Sequence, residues 1–437
     1  MLDINFIREN KQQVIDAVKN KGLDKKIDIE KLLELDVIRR ELVAKRDELR
    51  SKRNEISDKI GSASAEDRKP LIEEASKIKE EIKLVEDKHV LVDEEYLSLL
   101  LLVPNVTSDR MHVGLNEDFN KVIRAWGEPK KFTFTIKDHV DIGKDLDLID
   151  IETAGRVSGA RFYYLKNEAV LLQFALIQLV FTTLQDTKII KKLADKVGNP
   201  FDKAFSPILP PVMMRPDVMK KMDRLDPIDE RFQMKLDDLI LVGSAEHTLG
   251  PYHMDQVLEE KDLPIRYIGY STAFRREAGS YGKDTRGIIR VHQFDKLEME
   301  TLVPEEYGQQ EQDLIVSIQE YLMQQLELPY QVIQICTGDA GKPDFNQVDI
   351  NCWIPSQNKY RETHTSDYMT DFQSRRLGTR YKTKDGNKFV YMNDATAFAI
   401  GRTLVAILEN NQQKDGSVVI PKVLQKYVGK EVIEPKK

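Results

Sequence analysis

Two series of apolar residues at a seven-residue spacing constrain the start of this chain more than any other feature. Leu35, Leu42, Leu49 and Ile56 fall seven apart, within a stretch from Lys31 to Lys59 that holds no proline or glycine and is dominated by good helix formers. A second series, Leu71, Ile78, Val85, Val92 and Leu99, keeps the same spacing, with Ala75, Ile82 and Tyr96 at companion positions. Gly61 to Pro70 separates the two series. Two heptad segments joined by a short turn predict an antiparallel helical hairpin. A helix of about 35 residues would reach roughly 50 Å. On pattern alone, the hairpin is either a solvated structural coiled coil or an arm that reaches a large partner. Near the bend Arg50, Lys52, Arg53, Lys59, Arg68 and Lys69 are interleaved with Glu55, Asp58, Glu66 and Asp67. That mildly basic mixture suits a few phosphate contacts and not a deep electrostatic groove.

The remaining length needs a separate body. At 437 residues, and at ~100–200 residues per domain, two to four units are expected. Hydrophobic residues make up 41% and charged residues 32%, enough apolar material for a large core and too much for wholesale disorder. No apolar run approaches the length of a membrane span, and the charged start predicts no secretory leader. The two cysteines, Cys336 and Cys352, cannot make a disulfide framework or a four-thiolate zinc site, and they suit a reducing cytoplasm. The net charge of −7 argues against a general nucleic-acid coat and leaves room for a local basic surface.

The helical hairpin is expected to end near Leu99–Asn105, followed by a linker with short strands over 105–145. From about residue 150 the pattern turns to mixed helix and strand. Val170–Leu184 reads as an apolar helix, Pro207, Pro210, Pro211 and Pro216 interrupt regular structure, and Pro264–Phe274 and Ile288–Glu300 alternate as strands. These two strands flank a Gly-rich charged loop, Gly279 to Gly287. By the two-residue period Arg290, His292, Phe294, Lys296 and Glu298 share one face. Charged residues on a face that a globular body should bury are costly unless paired. They point to a polar site on an antiparallel sheet, the alternative being an exposed hairpin with ordinary surface charges. Arg275 is placed to grip a phosphate, because guanidinium offers a planar fork of donors. Two further groups are Tyr360 to Thr365 and Asn393 to Asn410, the latter an amphipathic helix with Gly401 and Arg402 at its start.

Five blocks of this sequence resemble the seryl-tRNA synthetase family of class II synthetases. They are MLDINFIREN (1–10), SGARFYYL (158–165), FRREAGSYGKDTRG (274–287) with RVHQFDKLE (290–298), TDFQSRR (370–376) and GRTLVAILEN (401–410). The resemblance covers almost the whole chain. It implies an α+β protein: an N-terminal antiparallel coiled-coil arm over 1–105 that binds tRNA, and a class II catalytic domain over 106–437. That domain would be built on a mixed, mainly antiparallel β-sheet flanked by helices. It implies a cytoplasmic homodimer that reads tRNA(Ser), and commonly tRNA(Sec), by shape and backbone.

The family reaction has two steps, adenylation of L-serine by ATP and transfer of serine to the 3′ end of tRNA. It needs no enzyme nucleophile, only orientation and charge stabilisation. By resemblance Arg275 and Arg402 are the catalytic arginines, at the α- and γ-phosphates. Arg276, Glu277, Val291, Glu362, Thr363, His364 and Thr365 complete the ATP site, with Glu277 and Val291 at the adenine. Glu362 and Thr365 would hold Mg2+, a cation that takes oxygen ligands. Serine would meet Ser244, Ala245, Glu246, Arg275, Glu298 and Thr396. A site that reads the hydroxyl rejects alanine because buried partners lose their bonds, whereas threonine must be excluded by size. Lys283 and Arg286 would guide the acceptor end.

The chain departs from the family pattern in places. Ser244 stands for the usual Thr, Asp394 and Thr396 for Asn and Ser, and Asn351 for a frequent Glu. Thr363-His364-Thr365 replaces a hydroxyl-rich run, and the motif around Pro207–Leu225 is weak. The seven histidines form no cluster with metal-ligand spacing, so a zinc site is not expected. His292 reads as a structural hydrogen-bonding residue. Two rival readings are an amino-acid:carrier-protein ligase, which would lack the arm, and a silent RNA-binding homologue, which would have lost Arg275 or Arg402.

Overall fold

The computed structural model describes residues 1–278 and 286–435. The chain divides into two compact units, Met1–Val106 and Thr107–Lys437. In the first, two short helices, Ile4–Glu9 and Lys11–Asn20, precede helices α1 (Ile29–Ser62) and α2 (Ala65–Leu102). The Asp28 carboxylate caps α1 by accepting from the Lys31 N–H, and the Ser64 hydroxyl caps α2 by accepting from the Asp67 N–H. Leu35, Leu42, Leu49 and Ile56 are buried on α1, and Ile82, Tyr96 and Leu100 on α2, so the heptad seam forms. The cross-pairs Lys31–Glu95, Arg39–Asp93 and Arg50–Glu86 run in opposite directions along the two helices, which makes the pair antiparallel. The companion positions of α1 hold Arg39, Arg46 and Arg53, all half-buried. Their aliphatic stems cover the seam while their heads reach polar partners. Arg39 lies 5.0 Å from the Tyr96 ring centre.

The connection between the helices is shorter than the sequence suggested. Gly61 and Ser62 belong to the last turn of α1, and Pro70 lies inside α2, leaving Ala63 and Ser64 as the turn. The Ser64 cap and the acidic Glu66 and Asp67 at the positive end of the helix outweigh the one N–H that Pro70 lacks.

The second unit is organised by an eight-stranded sheet. Its strands are β1 (Lys121–Trp126), β2 (Ser206–Ile208), β3 (Ile265–Phe274), β4 (Gln293–Val303), β5 (Tyr330–Gln334), β6 (Asn346–Ile354), β7 (Lys359–Thr370) and β8 (Tyr391–Ala399). Their spatial order is β1-β5-β6-β7-β8-β4-β3-β2. Every pair is antiparallel except β2–β3. β1 lies in the segment expected to be a linker with short strands, and is such a strand. All six of its residues are exposed at the sheet edge, so it lacks the alternating burial that marks a strand in sequence.

Helices α3 (Glu168–Gln185), α4 (Gly308–Gln325) and α5 (Ile400–Asn411) bury Leu172, Leu176, Leu314, Ile318, Leu404 and Ile407 in one core with Leu297 and Met299 of β4. Among the described residues α3 alone has the length and apolarity of a membrane span; here Leu172, Leu176, Val180 and Leu184 are fully buried in the core. A fully buried ion pair fixes α4 to the sheet. Arg266 of β3 donates from Nε and Nη2 to the two Glu311 oxygens at 2.6 and 2.7 Å. It also reaches the Lys203 carbonyl at 2.5 Å.

Two β-bulges set the face of the site. Between β6 and β7 the register passes from Ile350↔His364 to Asn351↔Glu362, leaving Thr363 extra. Between β8 and β4 it passes from Thr396↔Glu298 to Phe398↔Leu297, leaving Ala397 extra. Residues three apart in a regular strand point to opposite faces; an inserted residue brings them to the same one. Glu362 and Thr365 therefore share a face, as do Thr396 and Ala399, and all four line one cleft. From the helix side, the fully buried Gln319 of α4 donates to the Thr365 and Thr396 carbonyls, each at 2.8 Å. One amide thus ties the two bulged strands together. Gln319→Leu strands two buried carbonyls, each worth about 1–3 kcal/mol. Urea unfolding of the variant should show a loss of about 2–6 kcal/mol, and an unchanged curve would refute this role.

Candidate active site

The exposed side of the sheet is built from residues that alternate with the core. On β4, Leu297 and Met299 enter the apolar core, while Phe294 and Lys296 line a cleft of about 710 Å³. Arg275, Glu277, Val291, Glu362, Thr365 and Arg402 line the same cleft. A wider recess shares Arg275, Glu277, Lys296, Glu362 and Thr365 and continues past Arg224 and Glu246. The two openings form one continuous polar surface over the central strands.

Arg275 follows the last residue of β3. Its Nε donates to the Gly243 carbonyl at 3.0 Å, and its guanidinium lies 5.5 Å from the Phe294 ring centre. Backbone bonds to His292 hold the position: the Arg275 N–H donates to the His292 carbonyl, and His292 Nδ1 lies 3.0 Å from the Arg275 carbonyl. His292 is wedged between Phe162 and Phe232, which gives it the structural role its position suggested. β4 begins at Gln293, so Arg290 and His292 precede the strand and do not share its alternation. Glu277 has a φ of +52°, an uncommon conformation for a residue with a side chain. Its carboxylate accepts from Arg290 at 2.6 Å.

Across the cleft, Arg402 Nη1 donates to both the carbonyl and Oε1 of Glu362, each at 2.8 Å. Desolvation opposes the Glu362 charge, but Arg402, with Arg275 and Lys296 beyond it, holds this carboxyl below its ordinary range. Arg402 sits in the first turn of α5, which approaches closely at Gly401: a Cβ there would lie 3.2 Å from the Ile288 carbonyl. Thr365 donates to Asp367 at 3.0 Å.

Behind Lys296 lies a buried polar knot. Lys296 Nζ donates to the Ser244 hydroxyl at 3.0 Å and pairs with Glu298. The other Glu298 oxygen accepts from the Ser244 hydroxyl and, at 2.9 Å, from the Glu246 N–H. Ala245 is fully buried, and Thr396 is nearly so while lining the cleft. Burial works against the Glu246 carboxylate, but Arg224, His247 and Lys296 outweigh it and hold its pKa well below normal. Glu300, Asp394 and Asp367 go the other way. Burial first, then neighbouring carboxylates, pushes each well above the carboxylate range.

Of the residues picked out in the sequence, Arg275, Glu277, Val291, Glu362, Thr363, Thr365, Thr396 and Arg402 come together in the cleft. Ser244 and Glu298 join them through Lys296. Arg276 is exposed, with its N–H bonded to the Glu230 carbonyl. His364 is buried against Phe398, and burial lowers its pKa to about 3. Neither side chain lines the cleft. Arg286 pairs with Asp138 and Asp141, and Lys283 lies outside the described residues. Lys296 and Arg224 were given no role from sequence. Lys296 was visible as a charge on a half-buried strand. Arg224 carries no local signal, because both of its acidic partners are distant in the chain.

The block Thr370–Arg376 lies away from the cleft and acts on its frame. Arg376 donates to the Lys220 and Lys221 carbonyls, each at 2.8 Å, and Gln373 to the Met222 carbonyl at 3.2 Å. These carbonyls lie at and just beyond the end of the helix Pro216–Lys221, where helical partners run out.

Known proteins agree with this architecture along the entire chain. Residues 1–107 match the model of the seryl-tRNA synthetase N-terminal domain, and residues 231–411 that of the tRNA synthetase class II core domain (G, H, P, S and T). The chain is 40% identical to a serine–tRNA ligase of Dictyoglomus thermophilum, across 100% of both sequences. It is 43% identical to that of Fusobacterium nucleatum, across 98% of both. A crystal structure of seryl-tRNA synthetase from Pyrococcus horikoshii complexed with ATP superposes with a TM-score of 0.90 at 34% identity, covering 100% of both chains. Arm, sheet and cleft together place this chain in the seryl-tRNA synthetase family.

Proposed function

We propose that this protein is a serine–tRNA ligase that activates L-serine with ATP and transfers it to tRNA(Ser). The observation that carries this reading is the meeting of two arginines, Arg275 and Arg402, in one cleft beside the buried Ser244–Lys296–Glu298 knot. An ATP chain needs cations along its phosphates, and a small zwitterionic amino acid needs a carboxylate and a hydroxyl partner.

In the first step a serine carboxylate oxygen attacks the α-phosphorus. A new P–O bond forms, the bond to the bridging oxygen breaks, and pyrophosphate leaves. Arg275 neutralises charge that grows on the α-phosphate oxygens, and Arg402 faces the γ-phosphate. Glu277 and Val291 take the adenine. Glu298 and Glu246 attract the ammonium group, while Ser244 and Thr396 bound the side-chain pocket. In the second step a ribose hydroxyl at the 3′ end of tRNA attacks the acyl carbon, and AMP leaves. Orientation and fixed charge do this work without a covalent enzyme intermediate.

Glu362 and Thr365, on one face through the bulge, are hard oxygen donors of the kind that suit Mg2+. Among the described residues no cluster of three acidic, histidine or cysteine groups could hold a metal unaided. When bound, Mg2+ would neutralise phosphate charge.

The helical arm, assigned to 1–105, is the tRNA-binding element, and 106–437 is the catalytic domain. The protein acts in the cytoplasm as a homodimer. Exposed Val122, Ile123 and Trp126 on the edge strand β1 are a surface that a second copy would cover. Charging of tRNA(Sec) belongs to the same reading. A carrier-protein ligase is disfavoured by the arm, and a silent homologue by the retained Arg275 and Arg402.

Two measurements test this. Serine-dependent ATP–pyrophosphate exchange should fall by about 100-fold or more in Arg275→Ala, the usual scale for one charge-stabilising donor; exchange that persists, or that prefers another amino acid, would overturn the assignment. Deleting residues 28–100 should abolish aminoacylation while exchange stays within about threefold, since binding of tRNA and chemistry on serine are separable terms. Equal loss of both would refute the arm's role.

A further inference from the structure

Arg224 stands apart among the charged groups of the recess. It is one of its lining residues, with only 16% of its side chain exposed. Its Nε donates to Glu246 at 2.7 Å, and its Nη2 to Asp394 at 3.3 Å. One guanidinium therefore spans an acid on the short helix Glu246–Leu249 and an acid on β8. Those elements carry two candidate serine contacts, Glu246 and Thr396.

The backbone around Arg224 is trussed to the same degree. Arg231 donates to the Arg224 carbonyl from Nε at 3.0 Å and from Nη2 at 2.6 Å. Arg376 and Gln373 hold the carbonyls of Lys220, Lys221 and Met222. Asp223 pairs with Lys342 at 2.6 Å and with Arg376 at 3.3 Å. A surface arginine needs no such frame. A buried one that must present a fixed fork does, because removing a single partner from a buried charge pair leaves the other unmatched.

We propose that Arg224 is the positioning residue of the amino-acid pocket, fixing Glu246 and Asp394 so that the wall beside Thr396 and Glu298 fits serine. This rests on the serine–tRNA ligase reading and adds to it a residue outside the phosphate-binding set. Burial works against the Arg224 charge, but the acids around it, the Glu246 carboxylate first, hold its pKa well above the ordinary value. The guanidinium therefore stays charged at any working pH. Without it Glu246 and Asp394 face each other across the recess with no shared donor, and the pocket wall moves. The phosphate side is held by Arg275 and Arg402 through partners of their own, Gly243 and Glu362, and should not respond.

The test is pyrophosphate exchange by the full chain, with the KM for serine and for ATP measured separately in wild type, R224Q, D394N and R224Q/D394N. R224Q is expected to raise the serine KM by about tenfold or more, with the ATP KM within about twofold and kcat within about threefold, the signature of a lost ground-state contact. R224Q/D394N should keep the raised serine KM of R224Q to within about threefold, because Asp394 is already pushed toward its neutral form and its amide isostere leaves the Glu246 carboxylate without its guanidinium. An unchanged serine KM in R224Q, serine and ATP constants that rise together, or a double variant that returns to the wild-type serine KM would each overturn the proposal. If R224Q does not fold, R224K carries the test. It keeps the charge but loses the fork, so the serine KM should rise about three- to tenfold with ATP unaffected, and wild-type constants would again overturn it. A wild type that exchanges pyrophosphate with an amino acid other than serine would instead sink the functional reading, and this inference with it.

Discussion

The active face depends on a single amide. Gln319 stands at the centre of the helix-covered side of the sheet and donates to the carbonyls of Thr365 and Thr396 on adjacent strands. Both lie beside a bulge, where the ladder leaves backbone groups without a strand partner. Buried carbonyls without partners are costly, so the bulges persist because α4 satisfies them. The bulges in turn put Glu362 with Thr365, and Thr396 with Ala399, on the side away from the core. Packing on one face of the sheet thus decides which side chains appear on the other. α4 is itself held to β3 by the Arg266–Glu311 pair, so the chemistry in the cleft is anchored through two buried polar links.

The cleft solves one electrostatic problem twice. Cations and carboxylates that leave water must find each other. Near the mouth of the cleft each pair keeps a partner in contact with solvent, Arg402 with the exposed Glu362 and the half-exposed Arg290 with Glu277, and a ligand can exchange for that partner. Deeper in, Lys296, Glu298 and Ser244 are buried and mutually bonded, and Arg224 spans two acids. The outer pairs suit groups that trade partners during a reaction. The inner ones suit a pocket whose shape must not change. Glu300, Asp394 and Asp367, pushed toward the neutral form by burial and by neighbouring carboxylates, occupy the inner region without adding charge.

Much of this was legible in the sequence, for physical reasons. The heptads announce the arm because a seven-residue apolar period keeps one seam aligned only along helices that wrap a partner helix. The turn between its helices was read too long because glycine and proline weigh heavily in sequence, whereas Ser64 and the acids after it carry the helix past both. β1 is legible only as one of the unplaced short strands of a linker, because an edge strand exposed on every residue has no apolar alternation. Arg275, Glu277, Glu362 and Arg402 could be named because their local motifs are distinctive. Arg224 and Gln319 could not, since each acquires its role from partners that only the fold brings near: Asp394 lies 170 positions from Arg224, and Thr396 lies 77 from Gln319.

The bulge at Thr363 has a consequence for how such a site can vary over time. Because an inserted residue sets which way Glu362 faces, the cleft reads the length of β7 as well as its composition. Exchange of one side chain for another, as at Ser244 or Thr396, alters the pocket locally and leaves its neighbours in place. Loss or gain of a single residue between Glu362 and Thr365 would instead rotate the start of the strand by half a turn. It would turn Glu362 away from the cleft and bring Arg361 onto the cleft face in its place. Descendants of this chain are free to drift in sequence there, but the count of residues is fixed.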